Sequence, residues 1–138
     1  MLPFRISLGT GDSPFRQIVY AATRAVVSGE MPASLPFPSV RELSQELKIN
    51  PNTAHKVVAE LIRIGLLEVM PGVGTVVSAN WRASADEREQ LLSAELERVA
   101  VDARRLGLTR TDMIDALNTQ WDALFGRDDP STCPKEEP

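Results

Sequence analysis

The stretch that decides the fold reads Ser39-Val40-Arg41-Glu42-Leu43-Ser44-Gln45-Glu46-Leu47-Lys48-Ile49-Asn50-Pro51-Asn52-Thr53-Ala54-His55-Lys56-Val57-Val58. It opens on Ser39 with Glu42 three residues later, the pattern of a capping box at a helix start. Val40, Leu43 and Leu47 then recur at helical spacing and define one inward side. Only Lys48 and Ile49 intervene before Asn50-Pro51, a second N-cap with proline at the first helical position, where the missing N–H has no partner to lose. The helix so begun carries Ala54, Val57, Val58, Leu61 and Ile62 on one side and Asn52, His55, Lys56, Ala59 and Arg63 on the other, and Gly65 ends it. Two capped helices across so short a connection predict a helix-turn-helix.

Working outward, an extended run Phe4–Leu8 leads through a Gly-Thr-Gly-Asp turn to Ser13-Pro14, the cap and first residue of another helix. Phe15, Ile18, Ala22 and Val26 form its inward stripe, Gly29 stops it, and a proline-rich connector runs from Met31 to Pro38. Past Gly65 the pattern changes to that of strands. Two β-branched runs flank Pro71-Gly72-Val73-Gly74, which predicts a hairpin, the wing of a winged helix. A further box, Ser84-Ala85-Asp86-Glu87, opens a fourth helix, in which Leu92, Leu96, Val99, Ala103 and Leu106 are spaced like a coiled-coil seam. Gly107 closes it, Thr109 caps a fifth, and Met113, Leu117, Trp121 and Leu124 make one stripe. The expected fold is mainly α: a winged helix-turn-helix of three helices plus a β-hairpin wing over residues 1–80, a two-helix dimerisation region over 81–126, and a disordered, acidic, proline-rich tail over 127–138.

Composition narrows the function. The chain of 138 residues is 43% apolar and 25% charged, ordinary globular values. No apolar run approaches the length of a membrane span, and the N-terminus lacks a secretory pattern, so a cytoplasmic protein is expected. One cysteine, Cys133, and one histidine, His55, leave no disulfide framework, no metal cluster and no nucleophile–base set, so neither a catalytic site nor a cofactor is expected. The net charge of −4 is divided: residues 1–80 carry seven Lys/Arg and six Asp/Glu, and residues 81–138 carry eight and thirteen. The N-terminal half, at +1, is not repelled by phosphate, although its footprint is weak for a nucleic-acid binder.

From Pro14 to Val77 the chain resembles the DNA-binding domain of the GntR family. The resemblance is carried by Pro14-Phe15-Arg16-Gln17-Ile18, Ser28-Gly29, Phe37-Pro38-Ser39-Val40-Arg41-Glu42-Leu43, Asn50-Pro51-Asn52-Thr53, Gly65-Leu66-Leu67 and Gly72-Val73-Gly74-Thr75, in order and without gaps. The short C-terminal part, with Arg105-Leu106-Gly107-Leu108-Thr109 at its junction, resembles the YtrA subfamily, which lacks a large ligand-binding domain. The resemblance implies that Arg41 contacts backbone or base from the second helix, that Asn50, Asn52 and Thr53 begin the recognition helix, and that Gly72 is the wing tip at the minor groove. Pro51 and His55 stand where the family often has arginine, and Ala33-Ser34 where it has Pro-Gly.

The residue types suit the role. The N-terminal residues of a helix in the major groove reach base edges, where Asn52 can pair with adenine and Lys56 with guanine or phosphate. His55 donates a hydrogen bond from the same face, and the amides of Asn52 and Thr53 lie at the positive end of the helix dipole. Two helices with one apolar stripe each bury little alone; a homodimer through Leu92, Leu96, Val99, Ala103, Leu106, Leu117 and Trp121 doubles that burial and supplies two recognition helices. The expected function is sequence-specific regulation, as repression of a palindromic double-stranded operator; the competing reading is a winged-helix protein-interaction module. A small-molecule effector is compatible with the first reading, but no pocket for one can be read from the sequence.

Overall fold

Helix starts in this chain are set by side chains that take up otherwise unpaired amide hydrogens. In the computed structural model, which describes residues 2–81 and 83–126, Ser13 Oγ accepts from Arg16 N–H at 3.2 Å, Ser39 Oγ from Glu42 N–H at 3.1 Å, and Asn50 Oδ1 from Asn52 N–H at 2.8 Å. They open α1 (Pro14–Val27), α2 (Val40–Leu47) and α3 (Pro51–Arg63). The box at Ser39 is only half made. Glu42 accepts from the Ser39 hydroxyl at 3.4 Å instead of reaching back to its amide, whereas Ser84 with Glu87 and Thr109 with Asp112 form complete reciprocal boxes.

The chain divides into two compact units, Met1–Arg82 and Ala83–Pro138. The core of the first comes from all three helices and the sheet. Ile18 and Ala22 of α1, Leu43 of α2, and Ala54, Val57 and Leu61 of α3 have no exposed surface, and Met31, Leu67 and Val77 close around them. Burial of each large side chain is worth roughly 1.5–3 kcal/mol against leaving it in water. Phe15, Val40, Leu47, Val58 and Ile62, also expected on the inner faces, are partly buried at the margin of this core, as is Trp81.

The N-terminal arm is fastened to the unit. Phe4 stacks on Phe37 with ring centroids 5.8 Å apart, and Gln17 of α1 holds the turn before it, accepting from Gly9 N–H at 2.8 Å and donating to Gly9 O and Asp12 O.

Strands β1 (Leu67–Met70) and β2 (Gly74–Val77) form the expected antiparallel hairpin, in register from Leu67↔Val77 to Met70↔Gly74. The turn Met70-Pro71-Gly72-Val73 is closed by Val73 N–H donating to Met70 O at 3.1 Å, with Gly72 at φ +80°. Proline second and a positive-φ glycine third make this a type II turn. The connector before α2 does more than connect. Ser34 N–H donates to Val77 O, Val77 N–H to Leu35 O and Phe37 N–H to Thr75 O, and Pro36 bridges Val76. The prolines hide this edge from the sequence pattern because they cannot donate; the residues between them do.

Between α2 and α3, Lys48 turns the chain in the left-handed conformation, φ 52° and ψ 47°, its N–H donating to Ser44 O. A side chain with a Cβ pays for that conformation, which is the tightest feature of the two-helix motif.

In the second unit, α4 (Ala85–Gln90), a π-helical segment (Leu91–Glu95) and α5 (Leu96–Arg105) run on as one rod, and α6 (Arg110–Phe125) follows a turn at Gly107. The single fourth helix expected from spacing is thus interrupted. Leu96 N–H donates five residues back to Leu91 O, and the Ser93 hydroxyl donates to Glu89 O at 2.7 Å. A serine hydroxyl that bonds the carbonyl one turn back slightly destabilises and bends a helix. Helices α5 and α6 touch little, and among the described residues of this unit only Ala103 is buried. Among the described residues no helix is long and apolar enough to cross a membrane, and the expected tail 127–138, with Cys133, lies outside them.

Relieving Lys48 tests the account of the turn. Lys48→Gly is expected to raise unfolding stability by about 1 kcal/mol and Lys48→Val to lower it by at least as much, because glycine alone adopts this φ freely. Denaturant titration of the three chains decides; a loss of stability in the glycine variant contradicts the assignment.

Candidate nucleic-acid interface

The surface of α3 is sorted by its own burial. With Ala54, Val57 and Leu61 sealed against the core, the opposite side must face out, and Asn52, His55, Lys56 and Ala59 are all exposed. They lie three and four residues apart, so they form one continuous strip starting at the helix N-terminus. Thr53 beside them is half-buried.

Asn50 is the N-cap of α3, as its place before Pro51 predicts. Its side-chain oxygen accepts from Asn52 N–H in capping α3, which leaves that oxygen one lone pair and its amide nitrogen two donors for an outside partner. The same bond occupies Asn52 N–H, which the sequence reading had offered to a phosphate; the next amide in the turn, that of Thr53, donates to no acceptor among the described residues.

Arg41 is exposed in the first turn of α2 and, among the described residues, is paired with neither Glu42 nor Glu46. Its backbone carbonyl accepts from the Ser44 hydroxyl at 2.9 Å. Arg63, on the polar side of α3 by spacing, is held by Glu60 in a bidentate pair with contacts of 2.8 and 2.6 Å. The Arg63 guanidinium holds the Glu60 carboxyl below the usual carboxylate range, its hydrogen bonds outweighing a small opposing effect of burial.

Gly72 sits at the exposed wing tip, with no heavy atom near the position a Cβ would take, so its positive φ alone selects glycine. The wing holds a feature the sequence reading did not single out. Val69, Met70 and Val73 are exposed, Val69 by 66%, and Glu68 is the only charged residue between Leu67 and Val77. Strand alternation pairs Val69 with Leu67 on one side, but the hairpin projects past the core, so only Leu67 is covered. Such a wing has backbone amides and apolar side chains to offer a groove, and no cation.

The expected dimerisation residues are brought out as an apolar surface on the second unit. Leu92 is 70% exposed, and Leu96, Val99, Leu106, Leu117 and Trp121 are each exposed by between 46% and 62%. Trp121 touches Phe125 edge to face at 5.1 Å. Ala103 differs from the rest, being covered by its own unit at the start of the turn where Leu108 N–H donates to Ala103 O. An open cleft of about 970 Å³ lies between α5 and α6, with Leu96, Val99, Met113 and Leu117 in its walls.

A capped two-helix motif with an exposed recognition face, beside a hairpin wing, defines a winged helix-turn-helix protein of the DNA-binding class. The profile described as "Bacterial regulatory proteins, gntR family" matches residues 15–77. The chain is 32% identical over 83 residues to the HTH-type transcriptional regulator YhcF of Bacillus subtilis, covering 60% of this chain and 69% of that one. It is 32% identical over 95 residues to the HTH-type transcriptional repressor YtrA of the same organism, covering 68% and 73%. A solved structure titled as a transcriptional antiterminator from Listeria monocytogenes superposes with a TM-score of 0.77 over 91% of this chain and 96% of that one, at 22% identity, which is a likeness of fold. The chain belongs to the GntR family of transcriptional regulators and is YtrA-like.

The Glu60–Arg63 pair sets an acid dependence. Because the folded carboxyl titrates below its unfolded value, its contribution is complete above the usual carboxylate range and is lost as pH falls through the lowered value. Between about pH 6 and pH 3 the native chain is expected to lose more stability than Glu60→Gln does, by no more than about 1 kcal/mol given the pair's exposure. Urea titrations of both chains at the two pH values measure the difference, and equal losses contradict it.

Proposed function

We propose that the chain is a repressor that binds a palindromic double-stranded operator as a homodimer, one α3 helix to each half-site. The observation that carries this reading is the pairing of two exposed surfaces of opposite character. The strip Asn52, His55, Lys56 and Ala59 is polar and begins at a helix N-terminus, and the stripe Leu92, Leu96, Val99 and Leu106 is apolar and uncovered. A helix N-terminus entering the major groove uses the first, and a second chain covering the other supplies the two-fold symmetry that a palindrome demands. That YtrA of B. subtilis is named a repressor supports the direction of regulation.

Within this reading Asn52 and Lys56 read bases, Arg41 and the Thr53 amide hold phosphates, and the wing lies along the minor groove through Gly72 and its apolar neighbours. The acidic balance of residues 81–138 keeps that half away from the duplex, and the reading places the protein in the cytoplasm with its DNA.

Selection of bound duplexes from a random library tests the assignment, with the native chain, Asn52→Ala and Lys56→Ala in parallel. A palindromic consensus is expected from the native chain. Asn52→Ala is expected to relax preference at one position per half-site, losing about 1–3 kcal/mol of discrimination there, whereas loss of a phosphate contact weakens all sequences alike and lowers the salt slope by about one. Binding that ignores salt and duplex DNA supports protein docking instead.

A further inference from the structure

The rod of the second unit is sorted by charge along its axis. From Asp86 to Glu97 stand five acids and one base, net −4; from Arg98 to Arg105, where the rod ends, stand three bases and one acid, net +2. Helix dipoles account for the charges in the terminal turns, Asp86 and Glu87 at one end and Arg104 and Arg105 at the other. They do not reach Glu95, Glu97 and Arg98 in the middle of the rod, because the effect fades within a turn. The sign reverses between Glu97 and Arg98, beside Val99, and Val99 is the midpoint of the apolar series from Leu92 to Leu106.

Resting on the homodimer reading above, we infer that the second copy lies antiparallel across this face, with the two-fold axis passing beside Val99. Leu92 of each chain then meets Leu106 of the other, and each −4 half lies along a +2 half. A parallel pairing sets like charges together at both ends. Packed helices stand about 8–10 Å apart, comparable with the screening length of about 8 Å at physiological salt, so the alignment of the two halves contributes to the choice. The open cleft between α5 and α6 shares Leu96 and Val99 with the stripe, so the same second copy covers both.

Cysteine crosslinking in the full chain reads the orientation, with Cys133→Ser as background. In the antiparallel arrangement Val99→Cys forms a disulfide with its own copy. Two Leu92→Cys positions stand about 21 Å apart along the axis, far beyond the roughly 7 Å that a disulfide spans. Leu92→Cys alone is therefore expected to stay reduced, and a mixture of Leu92→Cys with Leu106→Cys chains to crosslink as a heteropair. Self-crosslinking of Leu92→Cys equal to that of Val99→Cys overturns the antiparallel arrangement while leaving the dimer standing. A monomer in sedimentation overturns the dimer itself and this inference with it. Reversing Glu95 and Glu97 to lysine is expected to weaken the dimer about tenfold, and adding Arg104→Glu and Arg105→Glu to the same chain to restore it. An unchanged dimerisation constant in the first of these variants refutes the role given to charge.

Discussion

The packing of α2 against α3 governs the rest of the molecule. Leu43 from one helix and Ala54, Val57 and Leu61 from the other are cut off completely from solvent, and Ala54 leaves space for close approach where a larger side chain would not. Interiors this dense tolerate little rotation of a helix about its axis, since turning α3 would expose Val57 or drive a polar side chain inward. The direction of the recognition strip is therefore a consequence of core packing. The surface residues have the freedom to read a partner because they do not hold the helix in place.

The same economy explains why Lys48 is tolerated in a left-handed turn. The strain of one residue is small beside the burial that the turn makes possible on both flanking helices. Asn50 shows the complementary trade: an asparagine on a candidate reading surface spends its carbonyl on the helix that presents that surface.

The two units stand in contrast. The first closes its core within one chain, while the second leaves leucines, valines and a tryptophan in water along helices that scarcely meet. A helix pair of this size has too little interior of its own to cover its apolar stripes. The widened turn at Leu91–Glu95 falls within this stretch.

Much was legible without coordinates because caps, glycine stops and hydrophobic period are local signals. Ser13, Asn50, Ser84 and Thr109 announce helix starts through bonds reaching only two or three residues ahead, and the period of α3 separates its inner from its outer side. Such signals, with the Pro71–Gly74 turn between two β-branched runs, by themselves determined three packed helices, a hairpin and the strip from Asn52 to Lys56. Tertiary structure alone decided that the proline-rich connector pairs with β2, that Val69 projects beyond the core, that Asn52 N–H is already taken, and that Ala103 is covered while its neighbours are not. Each of these depends on which groups meet across the chain, and a linear pattern carries no record of the partner.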